Sequence, residues 1–155
     1  MKLVIGNDHA AVDMKNEILA YLKEKGHEVV NVGTDTEGRF DYPLAAYRAA
    51  KLVTAGEVDG GVLICGTGVG IGLAANKVHG IRCCICSDPY TARLSKQHNN
   101  ANMIAFGARV IGVETAKMIV DEWLGAEFQG GRHAERVAMI MEIDKTGGLK
   151  EVDEA

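Results

Sequence analysis

The sequence predicts an α/β fold, a three-layer α/β/α sandwich on a five-stranded parallel sheet, with a projecting C-terminal helix. Two observations support this prediction. Short runs rich in Val and Ile alternate with longer segments of helical periodicity, which is the pattern of repeated strand–helix units. The 155 residues, 47% hydrophobic and 25% charged, are enough for the core of one domain.

Five apolar segments are the candidate strands, because each has the length of a strand and is followed by Gly or a polar residue. They are Lys2–Gly6, Glu28–Val32, Gly61–Cys65, Ile81–Cys86 and Asn102–Phe106.

The segments between the strands are predicted to be helices. Their apolar residues recur with helical spacing among Lys and Glu, and two of them begin at a proline, which is favoured in a first turn. The predicted helices are Val12–Lys25, Pro43–Thr54, one from within Gly68–Gly72 to about Val78, one beginning near Asp88-Pro89, and Val113–Leu124.

The C-terminal part follows the break at Gly130-Gly131. Helical periodicity resumes over Arg132–Ile143, which we expect to form a last helix that projects toward a partner subunit. Residues 144–155 are mostly polar and acidic toward their end. We expect a single domain over residues 1–143 and a flexible tail over 144–155, with a short extra helical turn as the alternative.

Charge and hydropathy exclude several function classes. The formal net charge of −4 offers no general basic surface to a nucleic acid. No apolar run reaches the ~18–20 residues of a membrane-spanning helix. The first apolar run is too short for a secretory signal. We therefore expect a cytoplasmic protein without a nucleic-acid or membrane partner.

The four cysteines are expected to be free thiols, and three of them lie in one predicted strand. Cys83 and Cys86 have C-x-x-C spacing. However, a redox pair needs its first cysteine at a helix N-terminus, and a zinc site usually needs a second pair. Packing of Cys83, Cys84 and Cys86 in the core is the favoured interpretation. A thiol redox protein is the alternative, and it would require a redox-active Cys83–Cys86 pair.

The most informative segment is the glycine-rich run Cys65–Gly72 after the third strand. Ligands of open parallel sheets bind outside the carboxyl ends of the strands. Glycines let backbone N–H groups approach a ligand, and a helix N-terminus favours negative charge, so the loop is predicted to hold an anion. Dinucleotide and phosphate-loop motifs are absent, because Ile71 occupies the last glycine position and no Gly-Lys pair occurs. A loop that only packs helix against strand is the alternative.

Cys65 and Thr67 are the candidate reactive groups of this loop. A helix N-terminus stabilises a thiolate, so Cys65 is a candidate base or nucleophile. A cysteine that closes an apolar strand is otherwise an inert core residue. The hydroxyl of Thr67 is suited to hydrogen-bond a substrate oxygen.

Two histidines are further candidates. His98, within the polar run Gln97–Asn100, can accept and donate a proton near neutral pH. His9 is next to Asp8 after the first strand, where it could bind an anion or be oriented by the carboxylate. Either histidine could equally be an ordinary surface residue.

Three arginines are candidate phosphate ligands. Arg132 and Arg136 are four residues apart, so on a helix both guanidinium groups can hold one phosphate. Arg109 follows the fifth strand. The alternative for all three is a solvated surface.

Together these motifs resemble the type B ribose-5-phosphate isomerase family, from about Lys2 to Ile143. The blocks that carry the resemblance are Asp8-His9, Asp41-Tyr42-Pro43, Ile64–Ile71, Ala74–Lys77, Gln97-His98-Asn99, Phe106-Gly107 and Gly130–His133. The resemblance implies a Rossmann-like sandwich without a metal or organic cofactor. It also implies a homo-oligomer, a dimer or a dimer of dimers, in which each active site is shared between two subunits.

The resemblance further implies a role for each site residue. Cys65 would be the base that moves a proton between C2 and C1 through a cis-enediolate, assisted by Thr67, and His98 would open the sugar ring with Asp8 nearby. The backbone of Gly66, Gly68, Val69 and Gly70 would hold the enediolate oxygen, Asn99 would contact substrate oxygens, and His9, Arg109, Arg132 and Arg136 would bind the phosphate. A family branch with Glu at the position of Ile71 uses that Glu as base, so this chain falls in the thiol branch.

The implied function is a sugar-phosphate isomerase that interconverts ribose 5-phosphate and ribulose 5-phosphate. A hexose 6-phosphate, of allose or galactose, is the alternative substrate, because the segment Gly33–Tyr42 would set the depth of the pocket. A non-catalytic binding module is a further alternative. A phosphoacceptor receiver would need Asp at the position of Cys65 and Lys at that of Arg109, and the chain has neither.

Overall fold

The computed structural model describes residues 1–154 and confirms the predicted α/β sandwich. Five parallel strands form one sheet in the order β2–β1–β3–β5–β4. The strands are β1 (Lys2–Asn7), β2 (Glu28–Asn31), β3 (Gly60–Cys65), β4 (Cys83–Ile85) and β5 (Met103–Gly107).

Seven α-helices lie within residues 1–154, and a 3₁₀ turn at His9–Ala11 precedes the first. The helices are α1 (Val12–Glu24), α2 (Tyr42–Thr54), α3 (Val69–Asn76), α4 (Pro89–Asn99), α5 (Val113–Gly125), α6 (Arg132–Thr146) and α7 (Lys150–Asp153). The predicted start of α4 is confirmed: the side chain of Asp88 accepts a hydrogen bond from the N–H of Thr91, and Pro89 follows at the first helical position.

Helices cover both faces of the sheet. Because side chains alternate along each strand, every strand contributes apolar side chains to both faces. On one face Ile5, Ile64 and Phe106 pack with Trp123 of α5 and with α1 and α4. The other face packs against α3 and against four buried alanines of α2, namely Ala45, Ala46, Ala49 and Ala50. Burial of each large aliphatic or aromatic side chain contributes about 1.5–3 kcal/mol, so both layers stabilise the sheet.

The edge strand β4 is shorter than the predicted Ile81–Cys86. Side chains replace strand pairing at its start: Asn102 Oδ1 accepts from the N–H of Arg82 at 2.8 Å, and Asn76 Oδ1 accepts from that of Cys83 at 2.7 Å. Asn76 also donates to the carbonyl of Cys83 at 2.9 Å. The Asn76 amide thus covers backbone groups that an edge strand otherwise leaves open.

The C-terminal helix extends beyond the predicted end at residue 143. Helix α6 continues to Thr146 and stops at Gly147, whose φ is 74°. The carboxylate of Asp144 accepts a hydrogen bond from the N–H of Gly80 and lies within hydrogen-bond distance of Nδ1 of His79. The short helix α7 follows, and its Lys150 N–H donates to Glu142. Residues 144–154 thus contain helix, which was the alternative for this tail; the division into domain and tail stays a prediction.

Because all strands are parallel, their carboxyl ends lie together along one border of the sheet, here called the carboxyl edge. Their amino ends lie along the opposite border, here called the amino edge. The segments after β1, β3 and β5 meet at the carboxyl edge, where ligands of such sheets bind. Helix α4 begins at the carboxyl edge and ends at the amino edge, because β5 starts there and runs parallel to β4. Within residues 1–154, no helix is both long and apolar enough to cross a membrane.

We predict that Gly68→Ala destabilises the fold more than Gly26→Ala does. Both glycines have positive φ, +80° and +87°, which costs alanine about 1–2 kcal/mol. A Cβ at Gly68 would also lie 2.6 Å from the backbone of Phe106, whereas one at Gly26 would meet nothing within 4 Å. The overlap adds ~1–3 kcal/mol to the loss at Gly68. Urea unfolding of both variants measures the difference, and equal losses would contradict the packing described here.

Candidate active site

Cys65 is the buried last residue of β3. Its Sγ accepts a hydrogen bond from the N–H of Gly68 at 3.1 Å. Gly68 can turn the chain there because its φ is +80°, and helix α3 begins at the next residue. The sulfur therefore lies at the start of a helix, where N–H groups and the helix dipole favour a negative charge.

The glycine loop is pressed against the end of β5. A Cβ at Gly68 or at Gly107 would lie 2.6 Å from the backbone of the opposite segment, so neither position accepts a side chain without displacement. Two hydrogen bonds continue the strand pairing. The N–H of Ala108 donates to the carbonyl of Cys65 at 2.9 Å, and the N–H of Arg109 donates to the carbonyl of Gly66 at 3.0 Å.

Three side chains border this loop. The exposed Thr67 accepts a hydrogen bond from the N–H of Val69 at 3.3 Å. The guanidinium of Arg109 lies over Gly66, where a Cβ would be 3.4 Å from its Nη1. The ring of Tyr42 lies over Gly70, where a Cβ would be 2.8 Å from its Cζ. Two of the glycines thus leave room for an arginine and an aromatic ring beside the thiol.

Asp8 and His9 reach the same edge after β1. The buried Asp8 carboxylate accepts from the N–H of Ala10 at 2.9 Å, which orders the turn, and the Asp8 N–H donates to Ile64 at 3.3 Å. His9 is exposed, and its Nδ1 lies 3.2 Å from the carbonyl oxygen and 3.3 Å from the nitrogen of Phe40. Its other ring nitrogen remains for a ligand.

Asn7 is a buried residue of this edge that the sequence analysis missed. Its amide nitrogen donates to the carbonyls of Asp8 and Thr34, and its Oδ1 accepts from the N–H of Thr34 at 3.2 Å. It thereby joins the segment after β1 to the segment after β2. A polar residue where an apolar strand ends was the signal that could have identified it.

A second group of candidate residues lies at the amino edge. His98, near the end of α4, stacks on His133 at the start of α6 with ring centroids 4.2 Å apart and planes 5° apart. Arg132 and Arg136, both exposed, flank His133 along α6. The carbonyl of the exposed Asn99 accepts from Arg82 Nε at 3.1 Å.

Burial lowers the basicity of one ring of the stacked pair, that of His133. Burial of His133 lowers its pKa below the ordinary 6.5, and the nearby His98, Arg132 and Arg136 lower it further. Two exposed arginines held beside an imidazole that binds protons weakly are suited to receive an anion.

One chain does not bring the two groups together. Cys65, Thr67, His9 and Arg109 lie at the carboxyl edge, and His98, Asn99, Arg132 and Arg136 lie at the amino edge. The eleven residues of α4 between the edges span about 16 Å. In one copy of the chain, therefore, the sequence-predicted site is two separate half-sites, and Asp8 is distant from His98.

Cys83 and Cys86 are buried in the core, as predicted, and Cys84 is partly buried against it. All four cysteines are free. Cys83 packs in the layer of α2 and α3, whereas Cys86 packs in the layer of α1, α4 and α5. The two thiols point to opposite faces of the sheet and form no redox pair. No group of three or more His, Cys, Asp or Glu side chains in residues 1–154 could hold a metal ion.

We predict that the lowered pKa of His133 makes stability depend on pH. The unfolded chain regains the ordinary pKa of 6.5, so it binds more protons than the folded chain as the pH falls through that value. The free energy of unfolding should therefore decrease between about pH 7.5 and pH 5.5, and it should decrease less in His133→Asn. Urea unfolding at both pH values tests this, and an equal decrease in the two proteins would contradict it.

Comparison with known proteins assigns the chain to a family. A family model described as Ribose/Galactose Isomerase matches residues 3–140. The chain is 56% identical over 144 residues to ribose-5-phosphate isomerase B of Escherichia coli, which covers 93% of this chain and 97% of the relative. The solved structure of Clostridium thermocellum ribose-5-phosphate isomerase B matches with a TM-score of 0.93 at 51% identity, over 96% of this chain and 100% of that one. That of Mycoplasma genitalium ribose-5-phosphate isomerase B with bound ribulose-5-phosphate gives 0.88 at 37% identity, over 94% and 97%. The chain therefore belongs to the ribose/galactose isomerase family.

Proposed function

We propose that this chain is an aldose–ketose isomerase that interconverts ribose 5-phosphate and ribulose 5-phosphate. The observation that carries the proposal is the Cys65 thiol, held by the Gly68 N–H at the start of α3 and beside the glycine loop. The relatives named above support the choice of substrate, because they are ribose-5-phosphate isomerases and one contains ribulose-5-phosphate.

Cys65 is the proton carrier in this proposal. Its thiolate removes the proton from C2 of the open-chain aldose and returns it to C1, while the hydroxyl proton on O2 passes to O1. The intermediate is a cis-enediolate, and the hydroxyl of Thr67 forms hydrogen bonds with its oxygens. The N–H of Gly68 stabilises the charge on the sulfur. Backbone N–H groups of Gly66, Val69 and Gly70 stabilise the negative charge of the enediolate, because donors that are fixed beforehand need no reorganisation as the charge develops. All groups of this step belong to the chain, so it requires no metal or organic cofactor.

The second half-site supplies ring opening and phosphate binding. His98 transfers a proton between the ring oxygen and the anomeric hydroxyl, and Asn99 contacts the sugar oxygens. Arg132 and Arg136 bind the phosphate together with His9 and Arg109. Anchoring the phosphate fixes the reacting carbons next to the thiol, which converts binding energy into orientation.

The functional unit in this proposal is a homo-oligomer, a dimer or a dimer of dimers. The separation of the half-sites in one chain supports it, because a second copy is needed to bring His98 to Cys65. In a two-fold pair each copy places its amino edge on the carboxyl edge of the other, which completes two equivalent sites. We also propose that the enzyme works in the cytoplasm.

The substrate assignment predicts a ranking of specificity constants. Purified protein should convert ribose 5-phosphate with a higher kcat/KM than allose 6-phosphate or galactose 6-phosphate, and a chelator should leave the rate unchanged. Initial rates on the three sugars, with and without the chelator, provide the test. A preference for a hexose phosphate would keep the mechanism and change the substrate. No turnover of any of the three would overturn the proposal in favour of a binding module.

The shared site predicts complementation between two inactive variants. Cys65→Ala removes the base and His98→Asn the ring-opening acid, so each homo-oligomer should lose at least ~100-fold in kcat. A pair with one copy of each variant contains one site with both defects and one intact site, so it should regain about half of the wild-type rate.

Co-expression of the two variants with different tags, followed by purification on both tags, isolates the mixed pairs. Cys84→Ala, which removes a thiol of β4, is the control and should keep the wild-type rate. Inactive mixed pairs that still bind inorganic phosphate would show that one chain supplies both residues, which would overturn the shared site.

A further inference from the structure

A fully buried lysine contacts the segment that connects β2 to α2, residues 32–41, here called the β2–α2 loop. Lys15 of α1 has no exposed surface, and its ammonium pairs with the carboxylate of Asp35, whose side chain is 70% exposed. Asn31 Nδ2 donates to the same carboxylate at 3.1 Å. A buried ammonium is costly without a counter-charge, so the loop is held where Asp35 reaches Lys15. The pair lowers the pKa of Asp35, which keeps the carboxylate charged.

Both ends of the β2–α2 loop border the half-site that contains Cys65, here called the thiol half-site. Near its start, Thr34 is bound by the buried Asn7. Near its end, the backbone of Phe40 contacts Nδ1 of His9, and Tyr42 follows with its ring over Gly70. Residues 35–39 between these contacts are exposed. The ion pair with Lys15 is therefore the anchor of the exposed middle of the loop.

We propose that Lys15 and Asp35 are a positioning pair for the phosphate of the substrate, an inference that rests on the proposed function. The pair holds the β2–α2 loop against α1, so that the Phe40 backbone occupies Nδ1 of His9 and leaves Nε2 directed to the phosphate. Neither residue needs to touch the substrate. Release of the pair frees the loop, and the His9 ring loses its fixed orientation.

Because Asp35 is negatively charged, its replacement distinguishes a positioning role from a purely electrostatic effect on phosphate binding. Asp35→Asn removes a negative charge near the site, and by electrostatics alone this change strengthens the binding of an anion. The positioning role predicts the opposite, because a neutral amide releases the loop. We expect Asp35→Asn to raise the Kd for inorganic phosphate and the KM for ribose 5-phosphate about 3- to 10-fold, with kcat within about twofold.

Three further variants complete the experiment. Asp35→Glu keeps the charge and should restore most of the affinity. Arg39→Gln, an exposed change in the same loop, is the matched control and should leave Kd and KM unchanged. The double variant Lys15→Met/Asp35→Asn leaves no unpaired buried charge and should match Asp35→Asn in its Kd. This result would show that the two residues act as one unit.

Calorimetric titration with phosphate, hydrogen exchange of residues 33–41 and steady-state kinetics are the readouts. Faster exchange in the loop together with weaker phosphate binding supports the pair. Unchanged or tighter phosphate binding by folded Asp35→Asn overturns it, and so does a loss of stability without faster exchange in the loop. If Asp35→Asn does not fold, the double variant decides by the same criteria. Failure of the proposed function differs from failure of the positioning pair. In the first case the wild-type chain lacks turnover, whatever phosphate affinity the loop variants have.

Discussion

The close contact between the glycine loop after β3 and the end of β5 is the constraint on which the carboxyl edge depends. Gly68 and Gly107 let two backbone segments approach to a distance that excludes any Cβ. This approach aligns the N–H of Gly68 with the sulfur of Cys65 and lays the Arg109 side chain over Gly66. Strand pairing, helix start and site geometry thus share one set of contacts. A side chain at either glycine would disturb all three.

Sequence patterns were sufficient for the order of the main strands and helices and for the position of the Cys65 thiol at the start of α3. Asp88-Pro89 marks the start of α4 because a cap and a first-turn proline are local signals, and the glycines after Cys65 indicate an anion site for the same reason. The start of β4 was predicted wrongly, at Ile81 instead of Cys83, because Asn76 and Asn102 replace its strand pairing from other parts of the chain. Side-chain hydrogen bonds that replace strand pairing depend on tertiary contacts, and they leave no periodic signal in the sequence.

The contacts of Asn7, Lys15 and His133 were missed for a related reason. Each depends on a partner distant in sequence: Asn7 on Thr34, Lys15 on Asp35, and His133 on His98. The separation of the site into two half-sites was available in principle from topology. Residues that follow a strand lie at the carboxyl edge of a parallel sheet, and residues that end a helix before the next strand lie at the other edge. His98 is of the second kind, and the motifs alone do not say so.

The placement of the half-sites at opposite edges has an evolutionary consequence under the proposed arrangement. A two-fold pair contains two composite sites, but one intact site is enough for turnover. After a gene duplication, one descendant could lose the residue at the position of Cys65 and the other the residue at that of His98, and the mixed pair would keep one complete site. Each descendant would then be inactive alone and obligatory for the other. The fold thus permits unlike-subunit enzymes to arise by loss of residues, without any new contact between the chains.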